Sequence, residues 1–203
     1  MIRAVFFDLD GVLVDACEWH RIALNTALKR VCDYEISVED HHNIFNGLPT
    51  RVKLKKLTEM GVIESAAHEQ VYRIKQQITL STIEKNAKKR AEKIELMKFL
   101  KGQGCHIACY TNSIKDTATL MLKKTGIFDY IECLVTNQDV LYSKPHPEGY
   151  NFLLKKFNLK SKNVIIVEDS PKGKQAAYSS GCRVIEVNHP NDVVVSLFEG
   201  AFK

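Results

Sequence analysis

Five short runs of the chain are mainly apolar, with apolar residues on both faces rather than in alternation: Ile2 to Phe7, His106 to Tyr110, Ile131 to Val135, Val164 to Val167 and Arg183 to Val187. A strand with one wet face alternates apolar and polar residues, whereas a strand buried on both faces must stay apolar throughout. Runs of this kind, with helical stretches between most of them, point to a parallel sheet covered by helices. One such crossover helix is legible in Tyr150, Leu153, Leu154 and Phe157, which fall at i, i+3, i+4 and i+7 and form a single apolar stripe. The expected fold class is therefore α/β, a Rossmann-like parallel sheet flanked by helices.

The rhythm breaks once. About a hundred residues separate the first run from the second, far more than a crossover needs, so something is inserted there. From about Cys17 to Ala87 the pattern is helical. Trp19, Ile22, Ala23, Thr26 and Ala27 form one stripe, Val62 to Leu80 carries another, and a polar break at Asn46-Gly47-Leu48-Pro49-Thr50 predicts a helix starting at Pro49 or Thr50. The expected organisation is a core of residues 1–15 and 88–203 with a helical unit, 16–87, inserted after the first strand. Basic clusters at Lys53 to Lys56 and Lys85 to Lys93 read as solvated helix faces.

At 203 residues there is room for one such core and a smaller insert, and not for two full-sized domains. The first ten residues hold an apolar run too short for a signal h-region or a membrane span, so the expected location is the cytoplasm. Six cysteines include no C-x-x-C pair and read as reduced, mostly buried residues. The net charge of +5 is spread along the chain. It favours small anionic substrates rather than nucleic acid, and no membrane partner is expected.

The chemistry concentrates at the ends of the apolar runs, the edge where open parallel sheets bind ligands. In Phe6-Phe7-Asp8-Leu9-Asp10-Gly11 the strand alternation puts Asp8 and Asp10 on the same side. Two carboxylates side by side need a compensating cation, and Mg²⁺ suits oxygen ligands. Thr111-Asn112 closes the second run with a hydroxyl and backbone N–H groups at a strand-to-helix turn, where phosphate is commonly held. Lys144 lies in Ser143-Lys144-Pro145-His146-Pro147, and Glu168-Asp169 repeats the acid-at-strand-end arrangement after the fourth run. Taken singly, Asp8 to Gly11 reads equally as a strand and turn, Thr111 as a helix cap, Lys144 as a solvated lysine and Glu168-Asp169 as a capping pair. The order in which they recur favours a site.

Together these motifs resemble those of the haloacid dehalogenase superfamily of hydrolases, in particular its phosphoglycolate phosphatase and β-phosphoglucomutase-like branch, over almost the whole chain. The resemblance implies Asp8 as the nucleophile that becomes aspartyl phosphate and Asp10 as the general acid/base, its backbone carbonyl also a Mg²⁺ ligand. It implies Thr111 and Asn112 as holding the transferring phosphate, with Lys144 balancing charge around it. Glu168 and Asp169 become the acidic pair at the metal, Asp169 direct and Glu168 either direct or through water. The helical insert becomes a cap that selects substrate, with Arg51 and His20 as its matching residues; for both, a solvated arginine and a satisfied histidine remain equal readings. The return from the insert, Asn86-Ala87-Lys88-Lys89, departs from the Pro-Gly pair often found there.

Dinucleotide and P-loop readings fail, because Gly102-Gln103-Gly104 precedes a strand and no G-x-x-x-x-G-K-[ST] occurs. The expected function is a Mg²⁺-dependent phosphatase acting on a small phosphorylated metabolite, as a monomer or weak dimer. The alternatives are a β-phosphoglucomutase-like mutase and a non-catalytic binding protein of the same fold.

Overall fold

The structure is a computed structural model and describes residues 1–202. Its centre is a five-stranded parallel sheet built from β1 (Ala4–Phe7), β2 (His106–Tyr110), β3 (Cys133–Val135), β4 (Val164–Glu168) and β5 (Arg183–Glu186), in the order β3-β2-β1-β4-β5. The α/β reading holds, and all five runs become strands. Every residue of β1 and β4 is buried, as the unbroken apolar runs require. Three strands are shorter than their runs, β5 by Val187 alone. Ile2-Arg3 and Ile131-Glu132 lie outside the ladder, although Arg3 N–H still donates to Asn163 and Glu132 N–H to Ile107.

The helices are α1 (Cys17–Cys32), α2 (Val38–Asp40), α3 (Thr50–Glu59), α4 (His68–Asn86), α5 (Ala91–Gly102), α6 (Lys115–Thr125), α7 (Glu148–Lys156) and α8 (Pro171–Ser179). Contacts divide the chain into two compact units, Met1–Asp15 with Ala87–Lys203, and Ala16–Asn86.

In the first unit, α7 and α8 pack on the sheet through Tyr150, Leu153, Ala176 and Ala177, in one cluster with Phe6, Ala108, Tyr110 and Ile166. α7 ends at Lys156, so Phe157 is its C-cap and stays half-buried. In the second unit, Leu24 and Leu28 of α1 meet Phe45, Leu54, Leu57 and Val71. This differs from the stripe read in the sequence. Ile22 is half exposed, and the buried face runs through Ala23, Leu24, Ala27 and Leu28, because the two leucines fill a core that the neighbouring small residues cannot. α3 starts at Thr50 with Pro49 as its cap residue, as the turn chemistry predicts.

Two lysines depart from the solvated reading of the basic clusters. Lys53 is buried on α3. Lys93, on α5, has no exposed surface, and its ammonium donates to the carbonyl oxygens of Pro190 and, at 2.7 Å, Val193. Burial, with Arg90 adding to it, brings this amine down to about 8.

Candidate active site

Parallel pairing sets β1, β2 and β4 in register, so their last residues end at one edge of the sheet. Asp8 follows Phe7 with its N–H donating to Val167 at 3.0 Å, which fixes its backbone against β4. Beyond it the chain turns back tightly, with Leu13 and Val14 N–H both donating to Leu9 at 2.9 Å. Leu9 is fully buried on one side of this turn.

Lys144 joins the strands. Its ammonium donates to Asp8 Oδ1 at 2.5 Å, Glu168 Oε1 at 2.6 Å and the Tyr110 carbonyl at 2.7 Å, using all three N–H groups. Its side chain is only 3% exposed, and that of Glu168 not at all. The backbone of Lys144 is clasped by Asn112, whose amide donates to the Lys144 carbonyl and accepts from its N–H, both at 3.1 Å. Asn112 thus ties the end of β2 to the lysine loop, a positioning role the sequence does not reveal.

Asp10 is held from the β2 side. Thr111 Oγ1 donates to Asp10 Oδ2 at 3.2 Å and Ser113 Oγ donates to the same oxygen at 2.9 Å, while Thr111 Oγ1 accepts from Ser113 N–H. Ser113 was not singled out in the sequence; its spacing of two from Thr111 is the signal that finds it. Asp169 follows β4 directly, and ligand oxygens of Asp8, Glu168 and Asp169 all lie within 4.8 Å of one another. Behind them Ser170 caps α8, accepting from Gly173 N–H. Gly173 is obligatory by contact, since a Cβ there would lie 2.0 Å from Glu168 Oε2.

Burial pushes the Asp8 carboxyl up to about 7, Lys144 opposing and Asp169 and Asp10 reinforcing. Glu168 and Asp169 are also pushed up to about 7, again by burial first. Burial alone would depress Lys144, but Asp8 and Glu168 beside it hold the ammonium far above its usual range. One firmly charged ammonium therefore faces four carboxylates. Glu168 Oε2 and Asp169 Oδ1 are buried without any hydrogen-bond partner. Orphaned carboxylate oxygens in an over-acidic, all-oxygen cluster fit a hard divalent cation such as Mg²⁺.

The structure thus brings Asp8, Asp10, Thr111, Asn112, Lys144, Glu168 and Asp169 together in one unit. Arg51 and His20 belong to the other. There Arg51 pairs with Glu69 at 3.3 Å and lies 4.4 Å over the Tyr72 ring, and His20 Nδ1 accepts from Lys75 Nζ at 3.1 Å. No described helix is long and apolar enough to cross a membrane.

Residues 5–187 match the haloacid dehalogenase-like hydrolase family. The chain is 29% identical over 207 residues to a phosphorylated carbohydrates phosphatase of Thermotoga maritima, covering 98% of this chain and 92% of that protein. It is 28% identical over 199 residues to a phosphoglycolate phosphatase of Pectobacterium atrosepticum, covering 93% and 81%. Among solved structures it superposes on a β-phosphoglucomutase of Clostridium difficile with a TM-score of 0.84 at 21% identity, over 100% and 97% of the two chains. That likeness is one of fold. With the sequence match spanning most of its length, the chain belongs to the haloacid dehalogenase-like hydrolase family.

Proposed function

We propose that this chain is a Mg²⁺-dependent phosphatase that hydrolyses a small phosphorylated metabolite through an aspartyl phosphate on Asp8. The observation that carries the reading is the bridge of Lys144 between Asp8 and Glu168, with Asp169 alongside. It holds the Asp8 carboxylate, the nucleophile in this reading, beside a fixed cation at the edge where open parallel sheets bind ligands. The names of the two phosphatase relatives agree with it.

Asp8, Glu168, Asp169 and the Asp10 carbonyl would hold Mg²⁺, which when bound offsets the negative charge of the transferring phosphoryl oxygens. Asp8 attacks phosphorus in line, forming an O–P bond as the ester O–P bond breaks. Asp10, oriented by Thr111 and Ser113, gives its proton to the leaving alkoxide. It then takes a proton from the water that attacks the phosphoenzyme, and phosphate leaves as Asp8 is regenerated. Lys144 stays charged throughout and balances Asp8 before transfer and the phosphoryl oxygens during it. The names of the two phosphatase relatives favour water over a sugar hydroxyl as acceptor; Arg51, which a mutase would use to grip a second phosphate, is paired with Glu69 at the surface.

The test is phosphate release from p-nitrophenyl phosphate, phosphoglycolate and a panel of sugar phosphates, with Mg²⁺ or with chelator. Release that is absent in Mg²⁺, or undiminished in chelator, sinks the proposal. Rapid conversion of β-glucose 1-phosphate to glucose 6-phosphate with little free phosphate would instead identify a mutase.

Two further outcomes follow. Asp8, Glu168 and Asp169 have folded values near 7, above their unfolded ones, so their ionisation costs stability as pH rises from about 4 to about 7. A divalent cation binds the ionised form and displaces protons. The rise in melting temperature that Mg²⁺ gives should therefore be larger at about pH 8 than at about pH 5, and an equal rise at both would contradict the metal assignment.

Asp10→Asn should lower turnover by roughly 10²- to 10⁴-fold, as is usual for loss of a general acid/base. In the phosphoenzyme-forming step, rapid quench should find a smaller loss with p-nitrophenyl phosphate than with an alkyl phosphate, whose leaving group needs the proton. Equal losses would remove Asp10 from acid catalysis.

A further inference from the structure

Tyr150 enters the sequence as one member of the apolar stripe of α7, and its ring does pack in that core. Its hydroxyl does something else. It donates to Glu168 Oε1 at 2.5 Å, the same oxygen that accepts from Lys144 at 2.6 Å. The phenol is fully buried, as is the carboxylate it meets. The ammonium of Lys144 lies 5.3 Å from the Tyr150 ring centroid and 4.7 Å from that of Tyr110, and the two rings meet edge to face at 4.9 Å. Gly149 makes this possible, because a Cβ there would come within 2.4 Å of the Tyr110 ring.

Lys144 has no N–H to spare: one goes to Asp8, one to Glu168 and one to the Tyr110 carbonyl. Any closer approach to Glu168 takes the ammonium from Asp8. On its far side the Glu168 carboxyl rests against Gly173, so its rotation is governed by the two donors on Oε1. A neutral donor at that oxygen meets part of the need for hydrogen bonds that the lysine would otherwise meet alone.

We propose that Tyr150 is a positioning residue: acting through Glu168, its hydroxyl sets how Lys144 is shared between Glu168 and Asp8 and fixes the acidic cluster in the arrangement that takes the divalent cation. The inference rests on the metal-dependent phosphatase reading of the site. Groups that orient metal ligands from behind typically change metal affinity or activity by about 10- to 100-fold when removed.

The experiment compares wild type with Tyr150→Phe, which keeps the ring and removes the donor. Mg²⁺ affinity is measured calorimetrically without substrate, and kcat and KM with p-nitrophenyl phosphate at saturating Mg²⁺. Tyr150→Phe should bind Mg²⁺ about tenfold more weakly or worse and lose about tenfold in kcat, with KM within about twofold of wild type. Tyr150→Met, which fills the space flexibly and also lacks a donor, should lose the same. Tyr178→Phe is the matched control, since its exposed phenol donates to Glu186, outside the site, and it should change neither quantity. A Tyr150→Phe or Tyr150→Met protein that keeps wild-type Mg²⁺ affinity and kcat, whatever its melting temperature, reduces Tyr150 to packing and overturns the proposal. Wild-type protein that takes up no Mg²⁺ overturns the reading of the site itself, and this inference with it.

Discussion

Asp8→Asn is expected to fold and to lose turnover by on the order of 10⁴- to 10⁶-fold, the scale of removing a covalent nucleophile. The amide is nearly isosteric with the carboxylate but cannot attack phosphorus. Its effect on stability runs the other way. Burial, with Asp169 and Asp10 nearby, raises Asp8 to about 7 in spite of Lys144, so the ionised carboxylate costs the folded state free energy at about pH 8. The uncharged amide avoids that cost. In chelator at about pH 8 the variant should melt no lower than wild type, and Mg²⁺ should raise its melting temperature less. Measurable turnover in a folded Asp8→Asn protein would end the covalent mechanism, and a melting temperature many degrees lower would show that the ion pair with Lys144 outweighs the burial.

Lys144→Met should lose turnover and stability together, because it removes the ammonium that Asp8 and Glu168 share. Asp8 and Glu168 keep their burial and lose their shared partner, and the Tyr110 carbonyl loses its donor. Breaking a buried charge pair from one side typically costs about 3–5 kcal/mol. At about 2–4 °C per kcal/mol for a chain of this size, the melting temperature at about pH 8 should fall by roughly 6–20 °C. The loss should shrink towards about pH 5, where the unpaired carboxylates take up protons. Turnover should fall by about 10³-fold or more, since an electrostatic group at the transition state is gone. Melting curves at the two pH values, with a turnover assay, decide it: a fall that is the same at both, or turnover within tenfold of wild type, would mean Lys144 is not the counter-ion its contacts make it.

Comparing sequence with structure separates what is local from what is not. The sheet was legible because burial on both faces leaves a mark inside each strand, and Asp8, Asp10, Glu168 and Asp169 were legible because they sit directly after such marks. Lys144 stood out through its prolines, although its sharing between Asp8 and Glu168 did not. Tyr150 read as a core residue because its partner, Glu168, lies on another element, β4, and an apolar stripe looks the same whether or not a phenol at its edge finds a carboxylate. Lys93 failed for the same reason. Among Lys85 to Lys93 it has the look of a solvated face, yet its acceptors are the carbonyls of Pro190 and Val193, about a hundred positions away. Ile22 misled through periodicity alone, since a helix with apolar residues on more than one side does not announce which side the core takes.

The strand order carries a consequence for how the chain is made. β1 leaves the ribosome first and ends at the centre of the sheet, with residue 4 paired to residues 106 and 164. The segment Ala16–Asn86 comes next and forms a compact unit of its own, so its internal contacts need nothing synthesised later. β1 must wait. At typical synthesis rates some ten to thirty seconds pass before β4 emerges. For all of that time Phe6 and Phe7, fully buried in the finished protein, belong to an apolar strand with no partner on its β4 side. Asp8, the nucleophile of the proposed mechanism, is thus attached to the segment most exposed to mispairing during translation, while the helical unit that follows can complete its own internal contacts in the meantime.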